Sequence, residues 1–295
     1  MPNQEIKELR QQGQLKPAYD KAAAQLEENP QKEAYKRDMG WVLFAYAKEY
    51  KSSDPKQLVW VTEALARLGL PDTETMLGDQ MAWKIGSAVF SLLKEKPVPI
   101  DSIRQLFKST QALSFTKPSE GYSFLFKAFK KAFNKVDDAY MIALCKWWGL
   151  GHFMPEDYAP ETMPNGKKGM AIVEQAYIGY ARSLVALKNN QTRSIEKQNK
   201  IAHIIEEFLP NLQKLAEEHP EYQYPNYFVA KLMLATGSKE EALQRLLPFA
   251  QRKSNEFWVW DLLSEINDTE EDKLACLCRA LLCKTKPEFL VKVRQ

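Results

Sequence analysis

Residues 170–187 read MAIVEQAYIGYARSLVAL, and within them Met170, Val173, Tyr177, Tyr180, Leu184 and Leu187 recur at intervals of three and four. That spacing predicts one face of an α-helix. Towards the amino terminus Leu58, Val61, Leu65 and Leu68 repeat it, and so do Leu77, Met81, Ile85, Val89 and Leu92. No segment bounded by turn residues alternates with period two, so strands are not expected. Helix stop signals fall at Asn29-Pro30, Gly69-Leu70-Pro71-Asp72, Lys96-Pro97-Val98-Pro99, Lys117-Pro118-Ser119, His219-Pro220, Gly237-Ser238 and Lys286-Pro287. Asp101 and Ser119 are expected as N-caps, since their side chains can accept the free N–H groups of a first helical turn. Breaks this short make successive helices antiparallel neighbours. The predicted class is all-α.

Two stretches suggest a repeat. Gly13, Ala18, Ala22 and Pro30 stand at the spacing of the turn, the small-residue contacts and the closing proline of a tetratricopeptide unit, and Met39-Gly40 falls where the next unit's Leu-Gly pair belongs. Gly237, Ala242, Leu246 and Phe249 recover the same frame near the other end. Small residues let two helices approach, and larger ones fill the groove to the next pair. The expected architecture is therefore a tetratricopeptide-like α-solenoid of antiparallel helix pairs, with a non-repetitive bundle as the alternative. Residues 149–169 interrupt the rhythm with three prolines and four glycines. Loops of that length inside helical arrays are commonly functional, and Phe153, Asp157 and Tyr158 are its candidate functional residues. The expected division is 1–148, the irregular loop 149–169, and 170–295.

Composition narrows the function. Of 295 residues 45% are hydrophobic and 27% charged, enough apolar side chain for a large core. The net charge of +3 arises from interspersed signs and does not by itself point to nucleic acid. A polar amino terminus, the lack of a long apolar run and only four cysteines predict a cytoplasmic protein without membrane contact.

Catalytic signatures are missing. There is no phosphate loop, no His-Glu-x-x-His and no nucleophile elbow. Asn165-Gly166-Lys167-Lys168-Gly169 reads as a solvated turn, and His152, His203 and His219 are isolated in sequence. Cys276 and Cys283 share a helical register that Cys278 does not, which predicts buried, inert thiols and no metal site. Gly121 to Lys135 interleaves Phe124, Phe126, Phe129 and Phe133 with Lys127, Lys130, Lys131 and Lys135. Aromatics among cations can stack bases and neutralise phosphates. The 3.6-residue period equally predicts phenylalanines in the core and lysines in water. Phe257, Trp258 and Trp260 are candidate interface aromatics, or packing between repeats.

A narrower likeness begins at about Trp147. Trp148-Gly149-Leu150 with Pro155-Glu156-Asp157-Tyr158, His219-Pro220-Glu221-Tyr222-Gln223-Tyr224-Pro225, Asn255-Glu256-Phe257-Trp258-Val259-Trp260, and Pro287-Glu288-Phe289-Leu290-Val291-Lys292-Val293-Arg294 carry it. Together they resemble bacterial tetratricopeptide-type proteins of conflict (mobile-element defence) systems, in which the helical region precedes a cold-shock-like OB domain. The likeness is good over the second half of the chain and loose over the first. It implies a scaffold component whose nucleic-acid contacts belong to the OB domain. The apolar-periodic helix expected at Phe289–Gln295, with no polar cap, suggests a chain truncated before that domain.

The expected function is a non-catalytic scaffold, taking a protein or peptide on a concave helical face with no cofactor. The alternative is RNA or single-stranded DNA binding by the array itself, through the Lys127–Lys135 stretch and Lys284, Lys286, Lys292 and Arg294. An enzyme built from carboxylates on different helices is the third reading.

Overall fold

The periodicity is realised as fourteen helices among the described residues of a computed structural model, which are 3–49, 55–162, 166–190, 194–291 and 293. No β-strand occurs among them; Thr162 and Lys168 form one isolated antiparallel bridge. The chain divides into two compact units, Met1–Ala159 and Pro160–Gln295.

The first unit holds α1 (Gln4–Gln11), α2 (Leu15–Glu28), α3 (Glu33–Glu49), α4 (Pro55–Arg67), α5 (Thr75–Leu92), α6 (Ile100–Thr110), α7 (Glu120–Phe133) and α8 (Asp138–Trp148). Neighbours in sequence pack as hairpins, and α1 also touches α3, α3 touches α5, α5 touches α7, and α4 touches α6. That next-but-one contact is the mark of a stacked helical array. The second unit holds α9 (Ile172–Lys188), α10 (Ile195–Glu218), α11 (Pro225–Ala235), α12 (Lys239–Arg252), α13 (Phe257–Ile266) and α14 (Glu270–Leu281). Here α11 packs on α9, α10 and α12, and α13 pairs with α14.

The predicted stripes form the core. Leu77, Met81, Ile85, Val89 and Leu92 of α5 are all buried, as are Leu58, Val61 and Leu65 of α4. In the opening stretch Val173, Tyr180 and Leu184 are buried, but Met170 precedes the helix and is 39% exposed. Ala18, Ala22, Ala242, Leu246 and Phe249 are buried, and Gly13 and Gly237 turn the chain with φ of 75° and 93°. Ser119 caps α7, accepting the Tyr122 N–H at 3.2 Å. Asp101 is not a cap: α6 already starts after Pro99, and Asp101 in its first turn accepts Arg104 at 2.8 Å. Pro210 and Pro248 sit inside α10 and α12, so not every proline stops a helix.

Three further expectations change. Part of the 149–169 loop is regular: Pro155–Tyr158 forms a 3-10 turn, and Phe153 is buried with its ring 4.4 Å from that of Trp148. Where the sequence predicts a helix at the carboxyl end, the described residues form a 3-10 turn, Pro287–Leu290, and Lys292, Arg294 and Gln295 lie outside them. Leu290 and Val293, three apart, bury themselves against Ala280 with Phe257, Trp260 and Leu277 beside them. The thiols also differ: Cys145 and Cys276 are buried, Cys278 is exposed because it faces away from α13, and Cys283 lies beyond the end of α14.

The most extensive helix contact in the first unit is between α5 and α7, and the segment that leads into α7 joins it. A Cβ at Gly78 would lie 1.8 Å from the Ser114 carbonyl oxygen, one at Gly86 would lie 2.7 Å from the Phe124 ring, and one at Gly121 would lie 2.9 Å from Trp83 Nε1. Backbone cannot yield as a side-chain tip can. Gly78→Ala is expected to destabilise the first unit by about 3 kcal/mol through overpacking, and Gly121→Ala by less, because Trp83 can swing outward. Urea unfolding followed by circular dichroism measures both.

Candidate functional site

The close α5–α7 contact builds a groove. Trp83 on α5 stacks on Phe124 of α7, centroids 4.9 Å apart and planes 29° off parallel, and the Phe90 ring lies 5.4 Å from that of Phe124. Trp83 keeps 43% of its surface in water. Around it Glu120, Ser123, Phe124, Lys127, Met154, Glu156 and Asp157 enclose an open groove of about 330 Å³. Glu120 and Glu156 are exposed.

Asp157 forms the floor and is buried. It accepts the Ser123 hydroxyl at 2.5 Å and the Met154 N–H at 3.1 Å, and Lys127 Nζ lies 3.6 Å away. A buried carboxylate held by two hydrogen bonds and an ion pair ties the 3-10 turn to α7. Beneath it Tyr122 and Trp148 lie parallel, 4.9 Å apart, each donating to the other's backbone carbonyl, at 3.0 and 3.4 Å. Burial pushes the Tyr122 hydroxyl well above its ordinary range, so it remains a donor.

The expected site residues therefore scatter. Lys127 meets Asp157, which joins two candidates proposed from separate segments. Lys130 is buried, near enough to Cys145 to oppose the burial that raises that thiol's pKa. Lys131 is exposed with its ammonium 5.6 Å from the Phe90 centroid, and Lys135, exposed, follows the helix with a φ of 66°. Of the phenylalanines, Phe126, Phe129 and Phe133 are core and Phe124 underlies the groove. Tyr158 packs on Phe153, with ring centroids 6.4 Å apart. Asn165 of the turn and Lys292 and Arg294 of the basic end lie outside the described residues.

The aromatics of α13 sit within packed clusters. Trp258 packs on Tyr224, Tyr227 and Phe249 at 6.0, 4.8 and 5.7 Å. Trp260 donates to the Ser254 carbonyl at 2.7 Å beneath Arg279, and Phe257 stacks parallel to Phe289. The histidines are surface or packing residues: His203 beside Glu206 and Glu207, His219 stacked on Tyr222, His152 edge-on to Trp148. Among the described residues no cluster of three or more His, Cys, Asp or Glu could hold a metal, and no helix is long and apolar enough to cross a membrane.

A second groove in this unit runs between α2 and α4 over α3, about 320 Å³, with Tyr19, Met39, Leu43, Trp60 and Arg67 among its walls. In the second unit a wider one of about 630 Å³ follows Glu161, Lys168, Met170, Glu174, Glu221 and Tyr224. Glu174 on α9 is buried there and accepts the Gln223 and Tyr224 N–H groups at 2.8 and 3.2 Å. Burial raises its pKa against the pull of those two bonds, whereas the His219 hydrogen bond holds Glu221 below its usual range.

Trp83, Glu120 and Glu156 were not singled out by the sequence pattern. A signal existed: Trp83 falls between the stripe positions Met81 and Ile85, and Trp60 beside Leu58 and Val61, so two large aromatics stand off their helices' buried faces. What joins Trp83 to α7 is helix register, which no single helix encodes.

The model of a domain of unknown function, DUF7017, matches residues 223–295. No curated protein matches the chain.

Asp157→Ala leaves the Ser123 hydroxyl and the Met154 N–H without their acceptor; a loss of about 2 kcal/mol is expected, read by urea unfolding, with Tyr158 and Met154 amides exchanging faster. Glu174 is protonated in the folded chain at pH values where the unfolded chain has already ionised it. Its contribution is therefore complete below the unfolded carboxylate range and declines as pH rises through the raised folded value. Urea midpoints from pH 7 down to 4 are expected to show this gain on acidification in the wild type, and Glu174→Gln to remove it.

Proposed function

We propose that the chain is a non-catalytic scaffold of the tetratricopeptide type that docks a peptide segment of a partner protein. The observation that carries this is the groove at Trp83: an exposed indole held flat on Phe124, with carboxylates at its rim and its one buried acid fully engaged in structure. An aromatic platform with acidic neighbours suits a segment that lays a cationic side chain on the indole face, its charge met by Glu120 and Glu156. Such recognition needs no reacting group. The resemblance of the second half to conflict-associated tetratricopeptide-type proteins supports a bacterial defence setting, in which the segment belongs to an effector or a sensor.

The alternative, nucleic acid on the array, draws support from the exposed Lys131 and Lys135. Weighing against it, Lys127 faces Asp157 and Lys130 is buried, so the four cations do not line one track along a phosphate backbone.

Selection from a displayed random-peptide library against the full chain tests the proposal. Enriched peptides are expected to carry Lys or Arg, to quench tryptophan fluorescence, and to lose about tenfold in affinity with Trp83→Ala or with Glu120→Gln/Glu156→Gln. Peptides indifferent to all three changes would refute the groove assignment. Binding to single-stranded RNA that weakens steeply with salt, and falls with Lys131→Ala/Lys135→Ala, would favour the alternative.

A further inference from the structure

Helix α14 buries Cys276 and Ala280 and turns its other face to water. On that face Leu274 is 63% exposed, Leu281 40%, and Leu282, the residue that caps the helix, 74%. Cys278 is exposed between them. Steps of three and four from Cys278 place all four side chains on one stripe. Single exposed leucines are ordinary, but a contiguous apolar stripe marks an association surface. The charge along the helix is also polarised. Glu270, Glu271 and Asp272 fill the first turn, Arg279 lies in the last, and Lys284 and Lys286 follow. Local pairs exist, Lys273 with Glu270 at 2.7 Å and Lys286 with Glu288 at 3.7 Å, but at exposed positions such pairs hold little.

We propose that this face of α14 is a self-association surface, occupied by α14 of a second copy of the chain running antiparallel about a two-fold axis at Cys278. A two-fold contact requires a surface complementary to itself, and the stripe is so in this orientation. About an axis at Cys278, Leu274 of one copy faces Leu282 of the other, Ala275 faces Leu281, and Cys278 faces its own mate. The acidic first turn of each helix then lies beside the basic end of its partner, and the helix dipoles run head to tail. A parallel pair would set acid against acid and base against base. One helix pair covers less than the roughly 800 Å² per partner of a standard interface. The dimer is accordingly weak and exchanging.

Sedimentation equilibrium of the full chain across a range of about 1 to 200 µM tests this, with circular dichroism confirming that each variant is folded. A concentration-dependent monomer–dimer equilibrium is expected, weakened about tenfold or more by Leu274→Glu, a change at an exposed position. Reversing the acidic end (Glu270→Lys/Glu271→Lys) is expected to weaken it, and reversing Lys284→Glu/Lys286→Glu in the same chain to restore it. A short bismaleimide is expected to cross-link wild type as a dimer and to fail with Cys278→Ser. A chain that stays monomeric throughout, or a dimer indifferent to Leu274→Glu and to the charge exchange, would overturn the proposal.

Discussion

The first unit depends on how closely α5 and α7 approach. Three positions without a side chain, Gly78, Gly86 and Gly121, bring one helix against the other and against the segment before α7. At that distance Phe124 packs against both Phe90 and Trp83, and Trp83 lies so close to Gly121 that a Cβ there would meet its indole. The rest of α7 follows from its rotation about that contact. Phe126, Phe129 and Phe133 turn into the core, Tyr122 meets Trp148, and Lys127 comes round to the turn that carries Asp157. The groove is a by-product of packing: its platform is a residue that the core could not absorb.

Buried acids in this chain share one task. Asp38, Asp157 and Glu174 are buried, and each accepts backbone N–H groups: Asn3 for Asp38 and Gln223 and Tyr224 for Glu174 from distant segments, and Met154 for Asp157 within its own turn, which the Ser123 hydroxyl ties to α7. Free N–H groups at the starts of helices and turns need acceptors, and a carboxylate supplies a strong one. The raised pKa of Asp38 and of Glu174 is a consequence of burial in that role. A perturbed acid in a cleft is often read as catalytic; here burial in a structural clasp accounts for the perturbation, and the bonds made there oppose it.

Fold class was legible because the 3.6-residue stripe is a property of one helix at a time. Leu77 to Leu92 needed no partner to be read as a buried face. The turn glycines Gly13 and Gly237 and the cap Ser119 were legible for the same local reason. The site was legible only in pieces. Lys127 and Asp157 both drew notice, but their pairing depends on the angle at which α7 meets the loop. Lys130 looked equivalent to Lys131 by composition, yet one helical step separates a buried ammonium from a solvated one. The carboxyl end misled because Phe289, Leu290, Val291 and Val293 admit more than one periodicity. Burying Leu290 with Val293 suits a tighter turn that starts at Pro287.

The clasp of Glu174 on the backbone of Gln223 and Tyr224 bears on where a module begins. The stretch matched by DUF7017 opens at residue 223, the first amide that Glu174 holds. Cut at that border, α11 would lose both α9 and α10, against which it packs, and two N–H groups would lose their acceptor. A boundary drawn from kinship between sequences thus runs through the middle of a mechanical joint. The portable piece, the one that could be moved to another chain and still hold its shape, starts no later than α9.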